Sequence, residues 1–348
     1  MNELADSADV SRFVVTSNRG FAAYAQDELR SLTPGTKFDE LIAAETYVMR
    51  IPLDRDTAIR RISGSEPIFL RHMFPIDEAV AYSGGNEDLG AIAAAAAKLA
   101  PAAGRSAAIQ IRKAERLSPG YEMSELKQAI ASMLHEAYGA VAVAKDADYI
   151  VSVFLTEEAA CIGITEPEQN LSDWPGGAVR FRKEEGQVSR AKFKLLEAEY
   201  EFGLDLSRYA KALDIGAAPG GWTSLLLERG VEVTAVDPAD LHPDLLGHPK
   251  LTFMKRNAGD VKFREHSYDL LVCDMSWSPK MMVKLILPLL EALKPGGAAI
   301  ITLKLMHGKP FQTVKDCVRA MQPGMELVKA KQLFHNRDEL TVFLTKKY

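Results

Sequence analysis

The chain is predicted to be an α/β protein, in which a Rossmann-like doubly wound sheet with an antiparallel final strand follows an α+β region. Three observations carry this expectation. From Ser189 onward strand-like and helical segments alternate, the pattern of a sheet whose strands are joined by crossover helices. A glycine-rich turn, DIGAAPGGW at 214–222, stands where the first strand of that half meets a helix. The last two strand-like runs, near 326–334 and 340–346, have no helix between them, which predicts an edge hairpin.

Taken in order, a β-rich run at 13–16, a helix at 22–32 and a strand at 47–51 open the chain, separated by Gly20 and the Pro34-Gly35 pair. The alanine-rich stretch at 86–103 has high helix propensity. A strand is expected at 107–112. The next helix, 123–137, repeats Leu126, Ile130, Met133 and Leu134 at helical spacing. Two strands, 149–155 and 160–164, end this half. That order suits an α+β RNA-handling module better than a parallel sheet. Residues 165–188 hold Pro167, Pro175, Gly176, Gly177 and Gly186 with Arg180, Arg182 and Lys183, and read as an ordered linker. Beyond it, helices are expected at 190–202, 223–229, 280–293 and 313–320. The strands between them are expected at 211–215, 232–236, 252–255, 270–274 and 298–304.

Composition narrows the function classes. A 348-residue chain with 47% hydrophobic and 26% charged residues can bury about two domain cores. Its net charge of −5 argues against a general nucleic-acid coat. Cys161, Cys273 and Cys317 lack metal-ligand spacing, so neither a metal site nor a disulfide framework is expected. The N-terminal residues lack the basic and apolar regions of a signal peptide, and no apolar stretch is long enough to span a bilayer. A cytoplasmic location, no membrane and no obligate protein partner are the expectations.

The turn at 214–222 carries the first chemical inference. Gly216, Gly220 and Gly221 permit a sharp strand-to-helix turn and a close backbone approach to a ligand, while Pro219 stiffens it. Asp237 ends the next strand, 21 residues after Gly216, where a carboxylate can accept both hydroxyls of a ribose. Asp260 follows the third strand and Asp274 the fourth, so acids line the crevice where open α/β sheets bind ligands. A nicotinamide dinucleotide would use the same acid position. The turn departs from the dinucleotide fingerprint, however, and Trp222 occupies the helix start. S-adenosylmethionine (SAM), which has no pyrophosphate to place on a helix dipole, fits better.

Further segments complete a resemblance. These are NLSDWPGG (170–177), SRAKFKLLEA (189–198), VTAVDP (233–238), CDM (273–275), LKL (303–305) and RDELTVFL (337–344). Together with the turn, they resemble the FtsJ-type RNA ribose 2′-O-methyltransferases, and most of all the THUMP-containing members that act on a cytidine of large-subunit ribosomal RNA. The resemblance implies SAM as cofactor, bound by Ser189, Gly216, Ala218, Pro219, Gly220, Gly221, Trp222, Asp237, Asp260 and Asp274. It implies a ferredoxin-like region over 1–80, a THUMP-like RNA-binding domain over 81–166, a linker over 167–188 and the methyltransferase domain over 189–348. It also implies a catalytic set of Lys194, Asp274, Lys304 and Glu339.

Each member of that set suits the chemistry. A ribose hydroxyl attacks a methyl group only as it loses its proton, so a base in contact with it matters most. Lys304, a charge directly after the apolar run of IITLK, is the candidate base. An ordinary lysine, with a pKa of about 10.4, is a poor base at neutral pH. A second cation at Lys194 and partial desolvation would lower it. Asp274 would orient the lysine near the sulfonium, and Glu339 would position Lys194 or the ribose. Lys194 beside Glu197 would equally suit a solvated ion pair, and Glu339 a solvent-facing residue near Arg337. Ser189 is also a natural N-cap.

RNA, and ribosomal RNA in particular, is the expected partner. Residues 301–348 hold seven Lys and two Arg against two Asp and two Glu, a net +5 within a chain of −5. Arg180, Arg182, Lys183, Arg190 and Lys192 add a second basic group, and Trp174 and Trp277 could stack on bases or pack internally. Competing readings are an RNA-binding protein with an inactive methyltransferase domain and a base methyltransferase. The second would need an Asn/Asp-Pro-Pro-aromatic run or a nucleophilic cysteine after the fourth strand, where the chain has Asp274-Met275-Ser276-Trp277. A thiouridine synthetase would need an ATP loop in a nucleotide-binding domain, and neither a leading strand nor such a domain is expected around Ser83-Gly84-Gly85.

Overall fold

The computed structural model describes residues 10–101, 103–182, 186, 188–306 and 308–348. The chain divides into two compact units, 1–179 and 180–348.

The first unit holds two sheets. β1 (Ser11–Ser17), α1 (Ala22–Leu32), β2 (Lys37–Ile42), β3 (Thr46–Ile51), α2 (Arg55–Gly64) and β4 (Leu70–Pro75) form a four-stranded antiparallel sheet of order β2-β3-β1-β4. This is the split βαβ arrangement of ferredoxin-like folds. β2, α2 and β4 are not expected from the sequence pattern. β2 alternates apolar and charged residues weakly, and α2 carries three arginines around its buried Ala58, Ile59 and Ile62. Asp54 caps α2 by accepting from Thr57 N at 3.0 Å.

The second sheet is built from β5 (Glu78–Ala81), α3 (Glu87–Leu99), β6 (Ser106–Lys113), α4 (Met123–Tyr138), β7 (Val141–Val143), β8 (Tyr149–Leu155) and β9 (Ala159–Thr165), in the order β5-β9-β8-β6-β7. It is mixed. β7 and β8 run parallel to β6, and β8, β9 and β5 are antiparallel neighbours. Its parallel pairs differ from the expected pattern because α4 carries the chain back across the sheet after β6. Both helices bury apolar faces (Ile92 and Ala96; Leu126, Ile130 and Leu134) against Ile109, Val151 and Val153. Val14 and Phe74 of the first sheet meet Phe154 and Cys161 of the second. At Gly163 a Cβ would fall 1.9 Å from the Pro75 carbonyl oxygen, so only glycine lets β9 approach β4 this closely.

Residues 167–179, assigned by sequence to the linker, pack on this unit. Arg71 Nε donates to Gly176 O at 2.9 Å and Gln110 Nε2 to Asp173 O at 2.6 Å.

The second unit is the alternating half. It comprises α5 (Lys192–Glu201), β10 (Lys211–Ile215), α6 (Gly221–Glu228), β11 (Glu232–Val236), β12 (Leu251–Met254), β13 (Tyr268–Cys273), α7 (Pro279–Ile286), β14 (Leu293–Lys304), α8 (Pro310–Met321), β15 (Met325–Lys331) and β16 (Glu339–Lys346). Its seven-stranded sheet runs β12-β11-β10-β13-β14-β16-β15. The first five strands are parallel, whereas β16 pairs antiparallel with both β14 and β15. The expected Rossmann-like sheet and its antiparallel last strand are therefore both present. The central strands are near-continuous apolar runs, as strands covered on both faces require. Among the described residues no helix is long and apolar enough to cross a membrane.

Candidate functional site

The site lies at the carboxyl ends of the parallel strands, where open α/β sheets leave a crevice. β10 ends in the turn 216–220, which leads into α6. Gly216 has φ +75°, and a Cβ there would fall 2.2 Å from Met275 Cγ. Gly220 has φ +111°, and its Cβ would meet Leu245 Cδ1 at 2.2 Å. Glycine is thus required here by the protein's own packing as well as by backbone conformation.

Asp237 follows β11. Its carboxylate accepts from Ala218 N at 3.1 Å and Ala239 N at 2.7 Å, clamping the turn to the next strand end. Lone pairs on both oxygens remain for a diol. Asp260 lies exposed at the end of the short 3₁₀ turn Ala258–Asp260 after β12, with Asn257 Nδ2 donating to it at 3.3 Å. Trp222, expected from the sequence to bind the cofactor, has a buried side chain. Its side chain is 2% exposed and donates its indole N–H to Ala191 O at 2.9 Å. With no open face, it fixes the start of α6 against α5. Ser189 is not the N-cap of α5. α5 starts at Lys192, and Ser189, three residues before it, accepts at Oγ from Ala191 N at 3.2 Å.

Four residues from distant parts of the chain share one face. Lys194, on the first turn of α5, places Nζ 2.9 Å from Asp274 Oδ1 and 2.6 Å from Glu339 Oε2. Thr302 Oγ1 donates to Asp274 Oδ1 at 2.8 Å, and Ser276 Oγ donates to Glu339 Oε1 at 3.3 Å. Lys304 lies two residues beyond Thr302 on β14 and directly opposite Glu339 on β16, so its side chain projects from the same face. The fold brings all four expected residues to one end of the sheet.

Their environments differ. The Lys194 side chain is 19% exposed, with Asp274 largely buried and Glu339 buried around it. Burial works against its charge, but Asp274 and Glu339 outweigh burial and hold its pKa above the ordinary lysine value. The Lys304 side chain is 40% exposed, and its ion pair, with Asp338, is long at 3.6 Å. Exposed pairs of this kind hold a lysine weakly. Glu197, read beside Lys194 as a surface partner, faces elsewhere. It is 1% exposed and accepts from Phe334 N, His335 N and His335 Nδ1 at 2.6, 2.9 and 2.6 Å, fixing the turn that delivers Glu339.

Cys273 is fully buried. Its thiol pKa is driven up, first by burial and then by Asp214 and Asp274, which removes it as a nucleophile. Among the described residues no group of histidine, cysteine or carboxylate side chains could hold a metal. Part of the C-terminal positive charge is internal, since Lys346 is buried and pairs with Glu291 at 3.1 Å. Lys192 is likewise buried and pairs with Glu228 at 2.8 Å. Lys183 lies outside the described residues.

Sequence reasoning missed Asp214. It lies inside β10, 1% exposed, and accepts from Thr223 Oγ1 at 2.6 Å. Burial, offset by the Thr223 hydrogen bond and reinforced by Asp274 and Asp237, pushes its pKa up to about 7. A charged letter within the apolar run ALDI was the available signal. Because its folded pKa exceeds the unfolded value of 3.8, folding favours the protonated form. The stability it contributes is full below the unfolded pKa and is lost as pH rises from about 4 to about 7. Asp214→Asn should therefore remove a few kcal/mol of this pH dependence, since each tenfold change in proton affinity is worth about 1.4 kcal/mol. Urea unfolding at pH 5 and pH 8 measures it, and an unchanged difference between the two would contradict the assignment.

Several known proteins are similar to this chain. Residues 187–332 match the model of the FtsJ-like methyltransferase family. The protein from Halorhodospira halophila called ribosomal RNA large subunit methyltransferase M is 37% identical over 174 residues, covering 49% of this chain and 50% of that protein. The protein of the same name from Saccharophagus degradans is 29% identical over 305 residues, covering 83% and 85% of the two chains. In the first matches, including that from Laribacter hongkongensis, the chain spans only 50% to 57% of its relatives' length. Among solved structures, TrmN from Thermus thermophilus is similar over 97% of this chain and 99% of its own, at 20% identity and a TM-score of 0.42.

Proposed function

We propose, from the FtsJ-like methyltransferase domain over residues 187–332, that the protein transfers a methyl group from SAM to a ribose 2′-hydroxyl of RNA, in large-subunit ribosomal RNA and at a cytidine. The observation that carries this reading is the convergence of Lys194, Asp274 and Glu339 beside Lys304 at one end of the sheet.

The donor set suits an adenosyl cofactor. Asp237 offers carboxylate acceptors for a ribose diol, and Asp260 offers an exposed acceptor for an adenine amino group. Ser189, Ala218, Pro219 and the glycines 216, 220 and 221 frame the same turn, and Asp274 lies at the neighbouring strand end. SAM would supply the electrophilic methyl. The chain's own residues would hold the hydroxyl in line and accept its proton.

Lys304 is the base in this reading, and the two lysines divide the work. Lys194, pinned by two carboxylates, stays charged and organises them. Its charge is spent on Asp274 and Glu339, so it does little to activate a neighbouring lysine. Lys304, loosely paired and at the open edge of the site, is the one able to meet a substrate hydroxyl. The first unit, with its mixed sheet over 78–165, would take the THUMP-like role of selecting RNA by shape.

Mapping ribose methyls in ribosomal RNA with and without the gene tests the assignment. One missing 2′-O-methyl, restored by the wild-type gene, is expected. Loss of a base methylation with every ribose methyl intact would overturn the ribose reading.

A further inference from the structure

We propose that Trp277 is a stacking platform for an unpaired RNA base adjacent to the methylated nucleotide; this rests on the RNA methyltransferase reading and extends it to substrate positioning. Three successive residues after β13 carry the argument. Met275 packs against Gly216 of the cofactor turn, and Ser276 donates to Glu339 of the catalytic set at 3.3 Å. Trp277 follows immediately and is 47% exposed. Consecutive Cα atoms are only about 3.8 Å apart, so the indole is anchored within one nucleotide's reach of Glu339.

An exposed tryptophan next to buried machinery has a cost that a ligand would offset. Beside it, Met281 is 57% exposed, and the two side chains open onto a groove of about 670 Å³ between α7 and the segment after β12. Two lysines line it: Lys284 on α7, which contains no acidic residue, and Lys262 in the segment after β12. Of the two acids there, Glu291 is paired with Lys346, leaving Glu265 as the opposing charge. An apolar aromatic floor with cations beside it matches a single-stranded nucleotide, whose base stacks while its phosphates meet the lysines. The base's identity matters little to stacking, so the platform would position the strand without reading its sequence.

Titration of the full chain with single-stranded oligocytidine at low salt, followed by tryptophan fluorescence, tests this. RNA is expected to quench the signal of a Trp174→Phe background, in which Trp222 is buried and Trp277 is the exposed fluorophore. Trp277→Ala should lose that quenching and weaken binding roughly tenfold or more, the loss expected of one stacked base. Trp277→Tyr should recover most of the affinity, and SAM affinity by calorimetry should be unchanged in both. Unaltered oligonucleotide affinity in Trp277→Ala would overturn the platform, and so would lost SAM binding in both variants, which would place the groove in the cofactor site. The readout needs no methyl transfer. A base-methylating enzyme would still show quenching, whereas ribose methylation without quenching would defeat only the platform.

Discussion

Lys304→Ala should reduce single-turnover methylation by about 10²–10⁴-fold, the range expected when a general base is removed, with SAM affinity essentially unchanged. The prediction follows from where the two lysines stand. Lys304 projects from β14 beside Glu339 and is 40% exposed with one long ion pair, so truncation removes a reacting group without exposing a buried charge. Stability should shift by under about 1 kcal/mol, as for other exposed pairs. Lys304→Arg separates charge from basicity. Its guanidinium remains protonated, so it would restore electrostatics but not proton acceptance. Recovery of the rate in the arginine variant, or undiminished turnover in the alanine variant, would refute Lys304 as base.

Lys194→Met should have the opposite profile, a large loss of stability along with loss of activity. Lys194 is largely buried between Asp274 and Glu339, and its removal leaves two largely buried carboxylates close together without a counter-charge. Breaking a buried ion pair on one side costs about 3–5 kcal/mol. The pH dependence follows from the signs. In the wild type the folded pKa of Lys194 is raised, so its contribution is full below the unfolded value of 10.5 and is lost only as pH rises above it. In the variant the orphaned carboxylates favour their protonated forms, so the deficit should shrink as pH falls from about 7 toward 5. Urea unfolding of both proteins across that window checks this. Lys194→Met/Glu339→Gln should regain part of the stability but none of the activity. A deficit independent of pH would mean that Lys194 acts through packing alone.

Much of the second unit was legible before the structure. Alternating strands and helices, the turn at 214–222 and the helix-free link between the last two strands each specify local geometry, and each is found. In the first unit β2, α2 and β4 were not legible. The charged residues of β2, the arginines of α2 and the buried Arg71 and His72 of β4 dilute the apolar period that identifies an element. The reading of 167–179 as linker followed its proline and glycine content. Those glycines instead let the backbone sit on the Arg71 and Arg112 side chains.

The sequence by itself determined which residue types could bind an adenosyl group and move a proton, because motif spacing fixes strand ends and turns. It could not determine how those residues pair, because pairing depends on side chains brought together from positions 194, 274, 304 and 339. Only the tertiary structure turned Lys194 away from Glu197 and onto Asp274 and Glu339, and turned Trp222 into the core. The same folding buried Asp214 and left Trp277 in solvent. Burial and proximity set charge state and access, and both arise only when the sheet closes over its helices.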